Sequence, residues 1–97
     1  MLIVFSMNGV PIRLPVERWE HIVYRHPEML RYRDSIIAAI SRPDIIQQGD
    51  AGTLLGIKKY GGKYVVVVYR EVDKKDGFII TAYVSERLRR RVVLWRR

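Results

Sequence analysis

Hydrophobic residues change their spacing along the chain, from a helical period in the first half to a strand period in the second. Pro15 suits the first turn of a helix, and the residues after it that share one helical face are Val16, Trp19, Ile22, Val23 and His26. Pro27 disfavours a helical backbone at the residue before it, so the first helix is predicted to end at His26. A second helix is predicted over residues 30–41, with a buried stripe of Ile36, Ile37 and Ile40.

Strand patterns flank this helical region. Residues 1–6 and 10–14 lie on either side of Asn8 and Gly9, a strong turn signal, which predicts a β-hairpin. Further strands are predicted over residues 51–60, 64–72, 78–86 and 91–95. The chain is therefore predicted to be a single domain, residues 1–97, of the α+β class. Its expected architecture is an N-terminal hairpin or strand and two helices packed on an antiparallel sheet of about four strands.

The charge of the chain is concentrated in its second half. Residues 1–50 carry six basic and six acidic side chains, whereas residues 51–97 carry twelve basic and four acidic ones, so the whole net charge of +8 lies there. The last eleven residues hold six arginines and no acid. Arginine binds phosphate bidentately and stacks on bases, so this bias indicates a nucleic acid, an acidic protein or an anionic lipid surface as partner. A merely solubilised surface gives the same excess.

Several classes of chemistry are excluded by composition. The chain has no cysteine, which rules out disulfides, zinc–thiolate sites and thiol nucleophiles and suits a cytoplasmic location. The apolar run at residues 1–5 is too short for a signal peptide or a membrane span, so no membrane association is expected. Two histidines and scattered acids give no adequate metal ligand set, and no metal or other cofactor is expected.

Both histidines of the chain, His21 and His26, lie within eight residues. Five residues apart on a helix, they are separated by about 140° around its axis and do not share a face. Only a break at Pro27 would bring them toward a common site. Histidine normally titrates near neutrality, and Arg25 could bind the phosphate on which it acts. A histidine on an apolar helical face is more often structural, so both interpretations remain open at this point.

Two further groups of residues are candidates for a binding surface. Thr81, Tyr83 and Ser85 alternate along one predicted strand, as expected for a groove lined by hydroxyls and an aromatic ring or for an ordinary solvated β surface. Basic residues interleaved with aromatic ones are what single-stranded nucleic acid requires. The basic residues in this pattern are Lys58, Lys59, Lys63, Arg70, Arg87, Arg89, Arg90 and Arg91.

Four longer motifs point to a family. They are "ERWEHIVYRHPE", a second helix closing on "RPDII", "KYVVVVYRE" and "GFIITAYVS". With these motifs the chain, from about Ile12 to Trp95, resembles the RelE-like small nucleases of the barnase–EndoU–colicin–RelE superfamily, in particular their phage- and toxin-associated branch. The resemblance implies one or two N-terminal helices on an antiparallel four-stranded sheet, metal-independent RNA cleavage, and in many members a toxin held by a protein antitoxin.

The resemblance also implies an active site that combines histidine, arginine or lysine, and a hydroxyl on the late strands. The matching positions are His21, Arg25, His26, Thr81 and Tyr83. RNA contacts are expected from Tyr83 together with Lys58, Lys59, Arg70, Arg87 and Arg89.

The expected reaction is attack by the RNA 2′-OH, with a histidine as general base or acid, to give a 2′,3′-cyclic phosphate and a 5′-hydroxyl. Arg25 and a strand-borne basic residue would stabilise the charge, and Thr81 would position the phosphate. The alternatives are a non-catalytic nucleic-acid-binding module and a protein-interaction module with an acidic partner, such as an antitoxin or an immunity-type protein.

Overall fold

The computed structural model describes residues 1–97, which form seven strands and two α-helices. In chain order they are β1 (Leu2–Phe5), β2 (Pro11–Leu14), α1 (Val16–Arg25), α2 (Arg33–Ser41), β3 (Ile45–Gln48), β4 (Leu54–Tyr60), β5 (Lys63–Asp73), β6 (Asp76–Ser85) and β7 (Val93–Arg96). A 3-10 turn, Pro27–Tyr32, joins the two helices. Neither helix is long and apolar enough to cross a membrane.

All seven strands belong to one mixed sheet, with the order β1-β2-β6-β5-β4-β3-β7. The predicted antiparallel sheet of about four strands is therefore wrong in both the number and the direction of its strands. The N-terminal hairpin extends the sheet, because β2 runs parallel to β6 with Ile12 opposite Gly77. A Cβ at Gly77 would lie 2.5 Å from the Ile12 side chain and 2.6 Å from the Arg70 carbonyl oxygen, so only glycine permits this approach.

The strand that the sequence pattern missed is β3. It has four residues, begins two positions after Pro43, and pairs with both β4 and β7. The next strand was predicted from residue 51 but begins at Leu54, because residues 50–52 form a tight turn. Ala51 and Gly52 have φ of 52° and 78° in that turn, outside the range of strands.

The helices begin and end close to the positions that prolines predict. Pro15 precedes α1, and His26 ends it by donating its backbone N–H to the Ile22 carbonyl at 2.7 Å. The predicted second helix is shorter than expected, because its first turn belongs to the 3-10 segment. α2 packs directly on β4, where a Cβ at Gly56 would collide with the Ala39 carbonyl oxygen.

Apolar residues pack on both faces of the sheet. The first cluster lies between the sheet and the helices and includes Ile22, Ile36 and Ile40 together with Val65 and Val67 of β5. The second cluster lies on the opposite face, which we call the outer face, and consists of Ile45, Leu55, Ile57 and Val66. The "YVVVVY" run is apolar at successive positions because β5 contributes alternate side chains to the two clusters.

The connection between β6 and β7, residues 86–92, crosses the outer face. It must pass over β5, β4 and β3 to reach the far edge of the sheet. Leu88 packs on the second cluster. The Gln47 side-chain amide donates to the Arg89 carbonyl at 3.2 Å, and the Gln48 backbone N–H donates to the Val92 carbonyl at 2.8 Å. This arginine-rich connection, called the crossover segment below, is thereby fixed on the outer face.

Candidate functional site

The structure places His26 against Tyr83. Their ring centroids are 5.9 Å apart with an interplanar angle of 39°. His26 leaves the helical conformation, with φ of −135° and ψ of 76°, because Pro27 follows it. The helix lies along β6 where β2 no longer pairs with that strand, and the Arg18 guanidinium donates to the Ile80 carbonyl at 3.2 Å. The end of α1 therefore brings a histidine to the edge of the sheet.

A β-bulge in β6 determines which residues reach the outer face. Tyr69 pairs with Ile79 and Val68 pairs with Thr81, so Ile80 is an extra residue in β6. Strict alternation along the strand would put Ile79 on the face of Thr81, but Ile79 lies in the first cluster with Ala82. Beyond the bulge the predicted grouping of Thr81, Tyr83 and Ser85 holds, and Tyr83 packs against the second cluster of the outer face.

Arginines of the crossover segment surround Tyr83. A small cavity of about 80 Å³ lies between β6 and the crossover segment. Its polar walls are Gln47, Tyr83, Ser85, Arg87, Arg89 and Arg91. Arg70 points to the same outer face, since Val66 and Val68 of the same strand pack there. The candidate site therefore has a histidine at the sheet edge, a tyrosine beside it and cationic groups on two further sides.

Arg91 is held in place by an ion pair. Its guanidinium donates to the Asp50 carboxylate at 3.0 Å. This hydrogen bond holds the pKa of Asp50 below its ordinary value and raises that of Arg91. The Arg70 guanidinium lies beside the same turn, where a Cβ at Gly52 would come within 3.1 Å of it. The turn of residues 50–52 thus holds Arg91 in place and lies next to Arg70 on the outer face.

Most arginines of the chain have no acidic partner in the structure. Of thirteen arginines, only Arg13, Arg91 and Arg97 form ion pairs with carboxylates. Arg70, Arg87 and Arg89 form none. Because a guanidinium without a carboxylate keeps its hydrogen-bond donors free, these groups can bind an external anion without first breaking an internal pair.

Not all of the predicted site residues gather here. His21 is exposed on α1 and makes no hydrogen bond or ring contact. Arg25 is exposed at the end of that helix, next to His26 in the chain, and forms no ion pair. Thr81 lies two residues before Tyr83 on the outer face and is half-buried.

The two lysines of β4 lie apart from Tyr83. The Lys58 ammonium is on the helix side, where it donates to the Arg42 carbonyl at 2.8 Å and lies 3.7 Å from Asp44. Lys59 is exposed near Tyr64, in a cleft that Arg96 and Arg97 also line. Lys58 is therefore engaged within the fold, whereas Lys59 lies on a separate basic surface.

Two residues at the site were not predicted from the sequence. Glu28 places its carboxylate 3.8 Å from Nδ1 of His26. The sequence did contain a signal for Glu28, because this acid lies two positions after the histidine at which the first helix was predicted to end. Gln47 fixes the crossover segment from β3, and since that strand was missed, nothing in the sequence pattern indicated its role.

No group of three or more histidine, aspartate or glutamate side chains is arranged to hold a metal ion. No protein-family model, no curated protein and no solved structure matches the chain. The likeness to RelE-like nucleases therefore rests on the sequence motifs and remains a prediction.

Proposed function

We propose that this protein is a metal-independent endoribonuclease of the RelE-like kind. The observation that carries the proposal is the approach of His26 to Tyr83, 5.9 Å between ring centroids, beside arginines that have no acidic partner. An acid–base group, an aromatic ring and cations then meet at one edge of the sheet. These are the components that cleavage of RNA through its own 2′-OH requires.

His26 is the proposed acid–base group. The 2′-oxygen attacks the neighbouring phosphorus and its proton passes to His26, while the bond from phosphorus to the 5′-oxygen breaks and the departing 5′-oxygen takes a proton from water. The products are a 2′,3′-cyclic phosphate and a 5′-hydroxyl. With a proton on Nδ1 facing Glu28, 3.8 Å away, the neutral ring has Nε2 free to accept the 2′-OH proton. Such catalysis contributes about 10²–10⁴ in rate.

Arginines and hydroxyls supply the remaining roles. Arg87, Arg89 and Arg70 are the proposed partners of the phosphate oxygens, where charge accumulates in the transition state. Tyr83 offers a ring on which a base can stack. Thr81, on the same face, is proposed to donate a hydrogen bond from its hydroxyl to the phosphate. Arg25 is a further candidate cation because it is the last residue of α1, directly before His26.

The test is incubation of the purified protein with mixed RNA in EDTA. The wild type is expected to cleave, and His26→Ala to lose at least about 100-fold in rate, the lower range for a general acid–base group. The matched control is His21→Ala, since the only other histidine is exposed and makes no contact at the site. Products should carry a cyclic phosphate, which acid treatment or phosphatase assays detect.

Three results would count against the proposal. Equal cleavage by wild type and His26→Ala would remove His26 from the mechanism. Cleavage that stops in EDTA would indicate metal-dependent chemistry. Binding of RNA with no turnover by the wild type would favour the non-catalytic nucleic-acid-binding module.

The partners proposed are RNA and an acidic protein of the antitoxin or immunity type, in a cytoplasmic setting. The crossover segment supports both, because its arginines present positive charge that either polyanion would neutralise. An acidic partner bound there would cover Tyr83 and block RNA. Inhibition of RNA binding by such a protein, reversed by salt, is the observation that would support this part.

A further inference from the structure

A second cleft adjoins the candidate site on the side of the 3-10 turn. It has a volume of about 270 Å³ and lies between that turn and the ends of β5 and β6. We call it the lateral cleft. Its polar and aromatic walls are Glu28, Arg31, Tyr32, Lys63, Ser85 and Glu86. Ligand pockets for drug-sized molecules start near 300 Å³, so the lateral cleft is large enough for only a small group, such as a single base with part of its sugar.

The lateral cleft and the candidate site meet at two residues. Ser85 lines both the lateral cleft and the small cavity beside Tyr83. Glu28 lines the lateral cleft and lies 3.8 Å from His26, whose ring in turn contacts Tyr83. An extended ligand that runs from the crossover segment into the lateral cleft would therefore cross Ser85 and reach Glu28, the neighbour of His26.

The side chains of the lateral cleft suit a nucleotide. Arg31 and Lys63 are exposed and form no ion pair, so both are free to bind phosphate. Tyr32 lies 6.2 Å from Tyr60, at an interplanar angle of 57°, and gives the cleft an aromatic wall. The carboxylates of Glu28 and Glu86 can accept hydrogen bonds from the amino group of a base.

The two acids also limit what can bind. A ligand that is mostly phosphate would be repelled by two carboxylates, whereas a nucleotide sets its one phosphate on the cations and its base on the acids. Uracil has no exocyclic amino group and offers these acids only its N3–H, so it makes fewer of the second set of contacts. The chemistry of the cleft therefore favours cytosine, adenine or guanine.

We propose that the lateral cleft is a subsite for the nucleotide that adjoins the cleaved phosphate in single-stranded RNA, and that it selects bases carrying an amino group. The proposal rests on the proposed function for its substrate. The acid–base centre would then lie between two binding regions, the crossover segment on one side and the lateral cleft on the other.

The experiment measures binding with RNA that cannot be cleaved. Fully 2′-O-methylated oligonucleotides lack the nucleophile, so affinity is measured without turnover. A dinucleotide and a pentanucleotide are titrated against the wild type and against the double variant Arg31→Ala/Lys63→Ala at several salt concentrations. The matched control is Lys74→Ala/Lys75→Ala, which removes the same charge from the exposed turn between β5 and β6.

The double variant is expected to weaken binding of the pentanucleotide, and to reduce the slope of log K against log salt by about 0.7, the contribution of the one phosphate that Arg31 and Lys63 bind together. Binding of the dinucleotide and the behaviour of the control are expected to change little. An unchanged slope for the pentanucleotide, or an equal change in the control, would overturn the subsite.

Base selection is tested with Glu86→Ala. The wild type is expected to bind a cytosine pentanucleotide more tightly than a uracil one. In the variant, the ratio of these two affinities is expected to fall about tenfold. Equal preference in the two proteins would overturn the selection. Cleavage assays on the same variants distinguish the two proposals. If the wild type cleaves RNA but the double variant binds the pentanucleotide with an unchanged slope, only the subsite is refuted. If the wild type shows no turnover, the proposed function is refuted.

Discussion

At the scale of single residues, the one charged side chain paired with His26 is Glu28. The carboxylate lies 3.8 Å from Nδ1, and both side chains are partly exposed. A carboxylate at this distance attracts a proton on Nδ1 through its charge, which in the proposed mechanism leaves Nε2 free for a substrate. Glu28 is therefore a positioning residue in the proposed mechanism.

Nitrogen-15 NMR tests this role. In the neutral ring of the wild type, the His26 proton is expected on Nδ1, and Glu28→Ala is expected to shift it toward Nε2. His21 serves as the internal reference because it is the only other histidine and is exposed. A His26 spectrum that does not change on removal of Glu28 would show that the carboxylate does not orient the ring.

Asp44 connects three strands near the opposite end of the sheet. Its carboxylate accepts the Lys59 backbone N–H at 2.8 Å and lies 3.4 Å from the Arg97 guanidinium. The Lys59 hydrogen bond lowers the pKa of Asp44, opposed by desolvation on burial and supported by the charges of Lys58 and Arg97.

A lowered pKa in the folded state means that Asp44 stabilises the fold above the ordinary value of 3.8, and that this contribution is lost as the pH falls through the folded-state value. Asp44→Asn is expected to lower the free energy of unfolding at pH 7 by about 1.5–2 kcal/mol, the lower part of the range for a hydrogen bond to a charged group, because the asparagine oxygen can still accept. Urea unfolding at pH 7 and pH 3 measures this. The difference between wild type and variant should shrink at pH 3, and Glu20→Gln, an exposed acid without an ion pair, should show no such difference.

At the scale of elements, the crossover segment depends on Leu88. Its side chain is half-buried on the second cluster, and it is the one apolar anchor between Glu86 and Arg91. Leu88→Ala is expected to lower the free energy of unfolding by about 1–2 kcal/mol, less than a fully buried leucine would cost. Urea unfolding is the measurement, with Leu30→Ala as control, since that leucine is 63% exposed. A loss of the same size in the control would contradict the anchoring role.

A comparison of the predicted and observed elements shows which features of the fold sequence patterns can predict. Local signals placed the helix ends, because proline acts on the residue beside it, and they placed the hairpin turn through Asn8 and Gly9. Pairing between distant strands left no local signal. β3 is too short to show a period, and the parallel contact of β2 with β6 depends on the space above Gly77.

The candidate site was predictable only in part, for the same reason. His26 and Tyr83 were both candidates from the sequence, but nothing in the spacing showed which histidine meets the strand. That choice follows from the direction of α1 across the edge of β6. The bulge at Ile80 is a further feature that alternation alone cannot predict, since it reverses the faces of the residues before it.

At the scale of the whole molecule, the position of the basic residues matters more for binding than the net charge of +8 itself. If the outer face binds RNA, affinity depends on the arginines of the crossover segment and less on the total charge. Arg87→Ala/Arg89→Ala is expected to reduce the salt dependence of binding to single-stranded RNA by about 1.4 in log–log slope. The charge-matched variant Lys74→Ala/Lys75→Ala should keep the wild-type slope. Equal slopes for the two variants would mean that only net charge governs binding.

The parallel pairing of the N-terminal hairpin has a consequence for biosynthesis. The hairpin is made before the strands on which it depends, since Ser6 donates to Glu71, 65 positions later. At about 5–20 residues per second, a ribosome needs roughly 3–13 s to make that interval. Until then β1 has no sheet to join, and Ile3 and Phe5, which are 48% and 60% exposed even in the folded protein, are accessible to chaperones. Folding of this domain is thus expected to be completed after β6 leaves the ribosome, so the proposed nuclease stays inactive until that strand has been made.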